Sequence, residues 1–316
     1  MSDERVPPRN FLGLPPELSD FRKAGVLVLP VPYEATVSYL GGARNGPQAI
    51  IDASRAVELY DSELGSEPAQ IGVATADALA LSNAGPEAAL KQLRSAYADA
   101  ADAGKFLIML GGEHSLSGPP ILEWVSRLKK LGRRLSVLQL DAHGDLRDSY
   151  EGTPFSHACV MRRIVPQADL VQVGIRAISV EEQRFLKRSR DTITTIFAEE
   201  LEGGDAWMDR ALGALGDDVY LTVDVDFFDP SLVPSTGTPE PGGGTWYQAM
   251  RLLRRVFAER NVIAADVVEL APLPGLAAPD FLVAKLVYKL IGYYREGKRK
   301  AAKAARRPDG QQKRSR

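Results

Sequence analysis

The chain has 316 residues, 45% of them hydrophobic and 25% charged, an ordinary globular composition able to bury a core without a disulfide or structural metal. A single cysteine, Cys159, excludes an internal disulfide and fits a reducing cytoplasm. The formal net charge is −2, yet the last segment, GKRKAAKAARRPDGQQKRSR, is dense in Lys and Arg, so the body before it is acidic and suits metals and a cationic substrate.

The opening residues, MSDERVPPRNFLGLPPE, lack the charged-then-apolar pattern of a signal peptide. No apolar run reaches the roughly 18 residues of a membrane span. The first β-rich apolar run is GVLVLPV from Gly25, followed by GGARNGPQAI from Gly41. Pro86 to Ala103 is predicted helical, with Leu90, Leu93 and Tyr97 on one face. Further apolar runs are FLIML from Phe106, LSVLQL from Leu135, LVQVGI from Leu170 and VYLTVDV from Val219. A second amphipathic helix carries Ala249, Leu252, Leu253 and Val256, and precedes VIAADVVEL from Val262. Phe281 to Tyr294 reads as a buried helix.

Continuous rather than alternating hydrophobicity predicts strands buried on both faces, as in a parallel sheet. Strand–helix alternation then predicts one α/β domain over residues 1–296. Residues 297–316 read as a basic, disordered tail, and the absence of aromatics among its charges argues against a nucleic-acid arm.

Polar residues follow the strands. FLIML runs into GGEHS, LSVLQL into DAHGDLRD, VYLTV into DVDFFDP, and VIAADVV into Glu269. Ligands of open α/β sheets sit at the carboxyl ends of strands, so four strands deliver polar groups to one rim. Asp141, His143 and Asp145 stand at i, i+2 and i+4, which places them on one side of an extended chain. Asp224 and Asp226 repeat the device, and the GGEHS turn adds His114.

So many carboxylates in one cleft would repel strongly, and two divalent ions relieve that repulsion. Asp141 and Asp224 could each bridge, with His114 and His143 serving one metal apiece. A set this rich in oxygen suits Mn²⁺ better than a closed structural zinc site. Of the three histidines, the remaining one, His157, lies in PFSHACVMRR. Cys159 is expected to pack rather than ligate, and Asp148 and Asp229 fit turn or capping roles.

Together these motifs resemble the ureohydrolase family, which includes arginases and agmatinases. GGEHS, DAHGDLRD, SHA, DVDFFDPSLVPSTGTPEPGGGTW and DVVELAP stand in that family's order, from about Phe11 to Tyr294. The resemblance implies a three-layer α/β/α sandwich on a mainly parallel sheet, assembled as a homotrimer or homohexamer. It implies two Mn²⁺ ions, one held by His114, Asp141, Asp145 and Asp224, the other by His143, Asp141, Asp224 and Asp226. Glu269 matches the carboxylate that holds the substrate guanidinium, and His157 matches the proton-shuttling histidine. Metal coordination lowers the pKa of water from about 15.7 to about 7. Asp145 would accept the hydrogen bond of the resulting nucleophile. His157-Ala158, Ser235 and Gly244 depart from commoner forms of the motifs without removing a ligand.

The loop LRDSYEGTPFSH carries Arg147, Asp148 and Glu151. Acidic residues near the mouth favour a small cationic guanidino substrate ending in an amine, so agmatine, cleaved to putrescine and urea, is the first expectation. Aminopropylagmatine is an alternative substrate. Arg147 equally fits a carboxylate, which leaves open a guanidino-acid ureohydrolase or a formimidoylglutamase. A deacetylase-like or non-catalytic metal-binding homologue is the remaining alternative, disfavoured by the completeness of the six-ligand set.

Overall fold

The uninterrupted apolar runs become strands covered on both sides. In a computed structural model that describes residues 8–305, the last five by backbone alone, eight strands form one sheet. They are β1 (Val26–Val31), β2 (Val73–Thr75), β3 (Phe106–Gly111), β4 (Leu135–Leu140), β5 (Asp169–Ile175), β6 (Ile193–Phe197), β7 (Asp218–Asp224) and β8 (Asn261–Val268). Every pairing is parallel, in the order β2-β1-β3-β8-β7-β4-β5-β6. The helices are α1 (Pro16–Ser19), α2 (Gly46–Ser54), α3 (Pro86–Ala101), α4 (Gly118–Lys130), α5 (Val160–Ile164), α6 (Val180–Arg188), α7 (Ala206–Ala214), α8 (Trp246–Glu259) and α9 (Ala278–Ala305).

Successive strand residues point to opposite faces, so each strand feeds two cores. Phe106, Ile108 and Leu110 of β3 pack with α2, α7, α8 and α9 on one side. Leu107 and Met109 pack with α3, α4 and α5 on the other, where Phe185 and Leu186 of α6 join them. The expected three-layer α/β/α sandwich is the observed architecture.

Local chemistry sets the helix ends. Pro86 stands in the first turn of α3, where its missing N–H costs nothing. Reciprocal capping boxes, Ser179 with Glu182 and Thr245 with Gln248, start α6 and α8. The stripe Ala249, Leu252, Leu253 and Val256 of α8 is wholly buried, as its spacing predicts. Leu93 and Tyr97 of α3 are buried as well.

The structure departs from the sequence reading at the edges. β2 and β6, the two outermost strands, were not among the expected runs. The expected break at residue 296 does not occur, because α9 continues to Ala305. Gly297 lies so close to Phe257 that a Cβ would sit 2.9 Å from its carbonyl oxygen, and the Lys298 ammonium lies 5.4 Å from the Tyr294 ring. Residues 1–7, the start of the segment read for a signal peptide, and residues 306–316 of the expected tail lie outside the described residues. Among the described residues no helix is long and apolar enough to cross a membrane.

One buried ionic cluster fastens the loop before β2 to α9. The Lys289 ammonium lies 2.9 Å from both Asp61 oxygens and 2.5 Å from Glu63, and only 6% of its side chain is exposed. Tyr293 donates to Glu63 at 2.9 Å. Removing one partner leaves a buried charge uncompensated. Lys289→Ala is therefore expected to cost about 3 kcal/mol or more, read as a lower midpoint in denaturant unfolding. An unchanged midpoint would show that water or Arg254 compensates Asp61 and Glu63 unaided.

Candidate metal centre

The four central strands β3, β8, β7 and β4 are neighbours, and their carboxyl ends carry the expected groups side by side. His114 follows β3, Glu269 follows β8, Asp224 ends β7 with Asp226 just beyond, and Asp141, His143 and Asp145 follow β4. The chain turns there through left-handed backbone at two non-glycine residues, Asp145 (φ 54°) and Glu269 (φ 66°). Such conformations cost about 1–3 kcal/mol and persist where the surroundings impose them.

His114 Nδ1 lies 2.9 Å from Asp145, 3.0 Å from Asp141 and 3.4 Å from Asp224, measured to carboxylate oxygens. Yet this buried nitrogen makes no hydrogen bond of acceptable geometry. Its partner Nε2 is 2.9 Å from the Thr222 hydroxyl, which also meets Asp266. With the Thr222 proton directed to Asp266, Nε2–H donates to Thr222 and Nδ1 faces the three carboxylates; burial disfavours charge on the ring, but Asp141, Asp145 and Asp224 override it and raise the imidazole well above its ordinary value. An imidazole nitrogen among three buried carboxylates, once it gives up its proton, is the donor set of a divalent cation.

A second cluster adjoins the first. His143 Nδ1 is 2.8 Å from Asp226 and 3.7 Å from Asp141. Ligand atoms of His114, Asp141 and Asp224 lie within 4.8 Å of one another, as do those of Asp141, His143 and Asp226. Asp141 belongs to both groups.

The electrostatics describe a site short of positive charge. Burial, then the charges of Asp145 and Asp226, push the Asp141 carboxyl up to about 7. Burial, Asp226 and Asp141 raise Asp224 well above the carboxylate range. Burial disfavours charge on His143, but Asp226 overrides it and lifts the imidazole to about 11. Burial and the neighbouring Glu113 push Glu269 up to about 8. Protons thus occupy the place that cations would fill.

The remaining expected residue, His157, comes from the segment between β4 and α5 and lines the same pocket as both clusters and Glu269. Cys159 is fully buried and far up its titration scale, near 11, through burial, consistent with packing. Asp229 makes the turn expected of it, accepting from the backbone N–H groups of Ser231, Gly242 and Gly243. Two departures from the commoner motif acquire a setting: Ser235 is buried, and a Cβ on Gly244 would overlap the Phe227 ring.

Several supporting residues were not singled out in the sequence. The buried Glu113 accepts from the backbone N–H groups of Ala35 and Thr36 at 2.6 Å and from the Thr36 hydroxyl at 2.8 Å. Thr36 Oγ1 in turn accepts from the His157 backbone at 3.1 Å and lies 3.2 Å from His157 Nδ1. With the Thr36 proton on Glu113, Nδ1–H donates to Thr36 and Nε2 is left to face Ser38, 3.3 Å away. Gln139 donates to Asp141 at 2.7 Å and is held by Gln172, which also donates to the Gly144 carbonyl. The signal in the sequence was polarity inside apolar strands: Gln139 in LSVLQL, Gln172 in LVQVGI and Thr222 in VYLTVDV.

A parallel α/β/α sandwich with a carboxylate–histidine centre on its central strand ends defines a metal-dependent hydrolase class. Residues 24–292 match the arginase family. Similar proteins include an N(1)-aminopropylagmatine ureohydrolase of Synechocystis sp., 39% identical over 90% of this chain and 93% of the relative. An agmatinase of Pyrococcus horikoshii is 34% identical over 86% and 93%. Among solved structures, agmatine ureohydrolase of Thermoplasma volcanium superposes with a TM-score of 0.80 at 27% identity, covering 90% of this chain and 94% of that one. The proclavaminate amidino hydrolase of Streptomyces clavuligerus gives 0.82 at 27%, covering 93% and 98%. The chain belongs to the arginase family and is a hydrolase.

Cation binding must displace the protons. At pH 7 the Asp141 carboxyl, near 7, is part-protonated, and His143, near 11, carries its proton. Coordination requires both bare, so binding releases protons and tightens as pH rises. Calorimetric titration of metal-free protein with Mn²⁺ at pH 7, in two buffers of different ionisation enthalpy, is expected to report release of about one proton or more. Heats independent of the buffer would contradict this description of the centre.

Proposed function

We propose that the protein hydrolyses the guanidinium group of agmatine, or of agmatine extended by an aminopropyl arm, releasing urea and an amine. The observation that carries this reading is that one pocket is lined by His114, Asp224, His143, Asp226 and Glu269, members of two carboxylate–histidine groups that share the buried Asp141 together with the Glu269 carboxyl. The names of the relatives, agmatinase and aminopropylagmatine ureohydrolase, support the substrate class.

Two manganese ions, one held by His114, Asp141, Asp145 and Asp224 and the other by His143, Asp141, Asp224 and Asp226, would supply Lewis acidity that brings the pKa of water from about 15.7 to about 7. Glu269 uses one oxygen to accept from the His114 backbone at 2.7 Å, which fixes the carboxylate and leaves the other oxygen for guanidinium N–H groups. A carboxyl pushed up by burial and by Glu113 favours a cationic partner, which relieves both effects. Asp145, turned into the pocket, accepts the hydrogen of the attacking water. His157, anchored through Nδ1, presents Nε2 to the pocket, takes up a proton and passes it to the departing nitrogen. The carbon gains one oxygen and loses one nitrogen, and the positive charge leaves on the amine.

The substrate's far end is read differently from the sequence expectation. Asp148 is tied to Arg163 at 2.5 Å and Glu151 is exposed, and neither lines the cavity outside the metal centre. Arg147 does line it, with its guanidinium 4.9 Å from the Tyr150 ring centroid and 3.9 Å from Glu182. A guanidino acid is the second reading, favoured by this one arginine.

Manganese-loaded protein is expected to release urea from agmatine or aminopropylagmatine faster than from arginine, guanidinobutyrate or guanidinopropionate. Urea from none of them defeats the reading, and turnover of guanidinobutyrate alone overturns the substrate class. Asp141→Ala is expected to abolish both metal retention and urea release. Glu269→Gln and His157→Ala should each lower kcat/KM by about a hundredfold or more, the scale of charge-assisted binding and of acid–base catalysis.

A further inference from the structure

The cavity outside the metal centre, about 470 Å³, shares Ser38, His143, Asp145, His157 and Thr238 with the inner pocket that holds Glu269. A linear substrate with its guanidinium at Glu269 therefore extends its chain into this outer chamber. Three carboxylates line the chamber: Asp145, Glu182 and Glu240. Asp145 is turned to His114 at 2.9 Å. Glu182 is spent within the protein, accepting from the Ser179 backbone and hydroxyl at 2.8 Å and from the Leu146 backbone at 3.0 Å. Glu240 alone has a carboxylate with no hydrogen-bond or ion-pair partner among the described residues.

The chamber also holds two arginines. Arg147 rests near Tyr150 and Glu182. Arg176 donates to the carbonyls of Gly174 at 3.1 Å, Asp226 at 2.6 Å, Glu240 at 2.8 Å and Pro241 at 3.0 Å. The same guanidinium thus ties the Glu240 backbone to that of Asp226, so the free carboxylate stands on a fixed arm beside the metal-centre residues.

Resting on the proposed guanidine hydrolysis, we infer that Glu240 is the specificity residue that receives the substrate's distal ammonium. Glu269 and Glu240 then take the two charged ends of a dication, and a chain ending in a carboxylate meets an uncompensated like charge. A charge-assisted hydrogen bond of this kind gives about tenfold discrimination or more.

The test compares agmatine with n-butylguanidine, which keeps the guanidinium and chain but ends in an uncharged methyl group. Wild type is expected to favour agmatine in kcat/KM by about tenfold or more, and Glu240→Gln to reduce that ratio several-fold, chiefly through KM. Calorimetry of putrescine binding should show a matching loss of affinity in the variant. A ratio and a putrescine affinity both unchanged in Glu240→Gln overturn the inference, as does equal loss of both substrates. Wild type inactive on every guanidine would instead defeat the proposed function, a result the variant does not share in.

Discussion

Like charge held close together is the constraint on which this molecule is organised. Asp141, Asp145, Asp224 and Asp226 are all buried at one rim of the sheet, within reach of two imidazoles. No side-chain arrangement relieves four ionised carboxylates in low dielectric, so positive charge must enter as protons or as cations. The uneven response of the group, with Asp141 and Asp224 raised and Asp226 lowered beside His143, is that competition resolved residue by residue. Parallel strands suit the task. Their ends are fixed by ladders on both sides, so carboxylates that repel cannot simply drift apart.

Different parts of the fold hold different parts of the site. The groups that gather charge stand on β3, β4, β7 and β8, the centre of the sheet. His157 belongs to a loop, and loops move unless tied. Glu113, one residue before His114, does the tying: it grips Thr36, and Thr36 grips both backbone and ring of His157. The His157 ring is therefore referenced to the strand that carries His114 rather than to its own loop. Such an arrangement keeps Nε2 directed into the pocket, where it faces the Ser38 hydroxyl at 3.3 Å.

Much of the centre was legible because strand geometry converts spacing into position. The end of a parallel strand is where ligands gather, so the polar cluster after LSVLQL marked the site, although β4 ends at Leu140 and Asp145 has left-handed backbone rather than the extended, alternating geometry expected of it. The helper residues were harder, since Thr36 and His157 are 121 positions apart and touch only in the folded chain, where Glu113 fixes Thr36. β6 escaped notice because ITTIF is partly exposed and broken by threonines, and β2 because its three residues are too short for a pattern. The extension of the last helix past residue 296 was missed for another reason. A lack of large apolar residues was taken for disorder, but Ala, Lys, Arg and Glu are strong helix formers, and α9 needs little packing to run on to Ala305.

The two ends of the pocket obey different physics. At the inner end every group is bound to another, so replacing one disturbs charge, ring orientation and backbone together. At the outer end Glu240 contributes nothing to holding the centre beyond its carbonyl, which any residue would supply to Arg176. A side chain can be exchanged there without moving Asp226, because Arg176 reads the backbone and not the carboxylate. The side chain at position 240 is thus separable from the scaffold of the centre: the Arg176 guanidinium joins the two regions, yet only through backbone carbonyls.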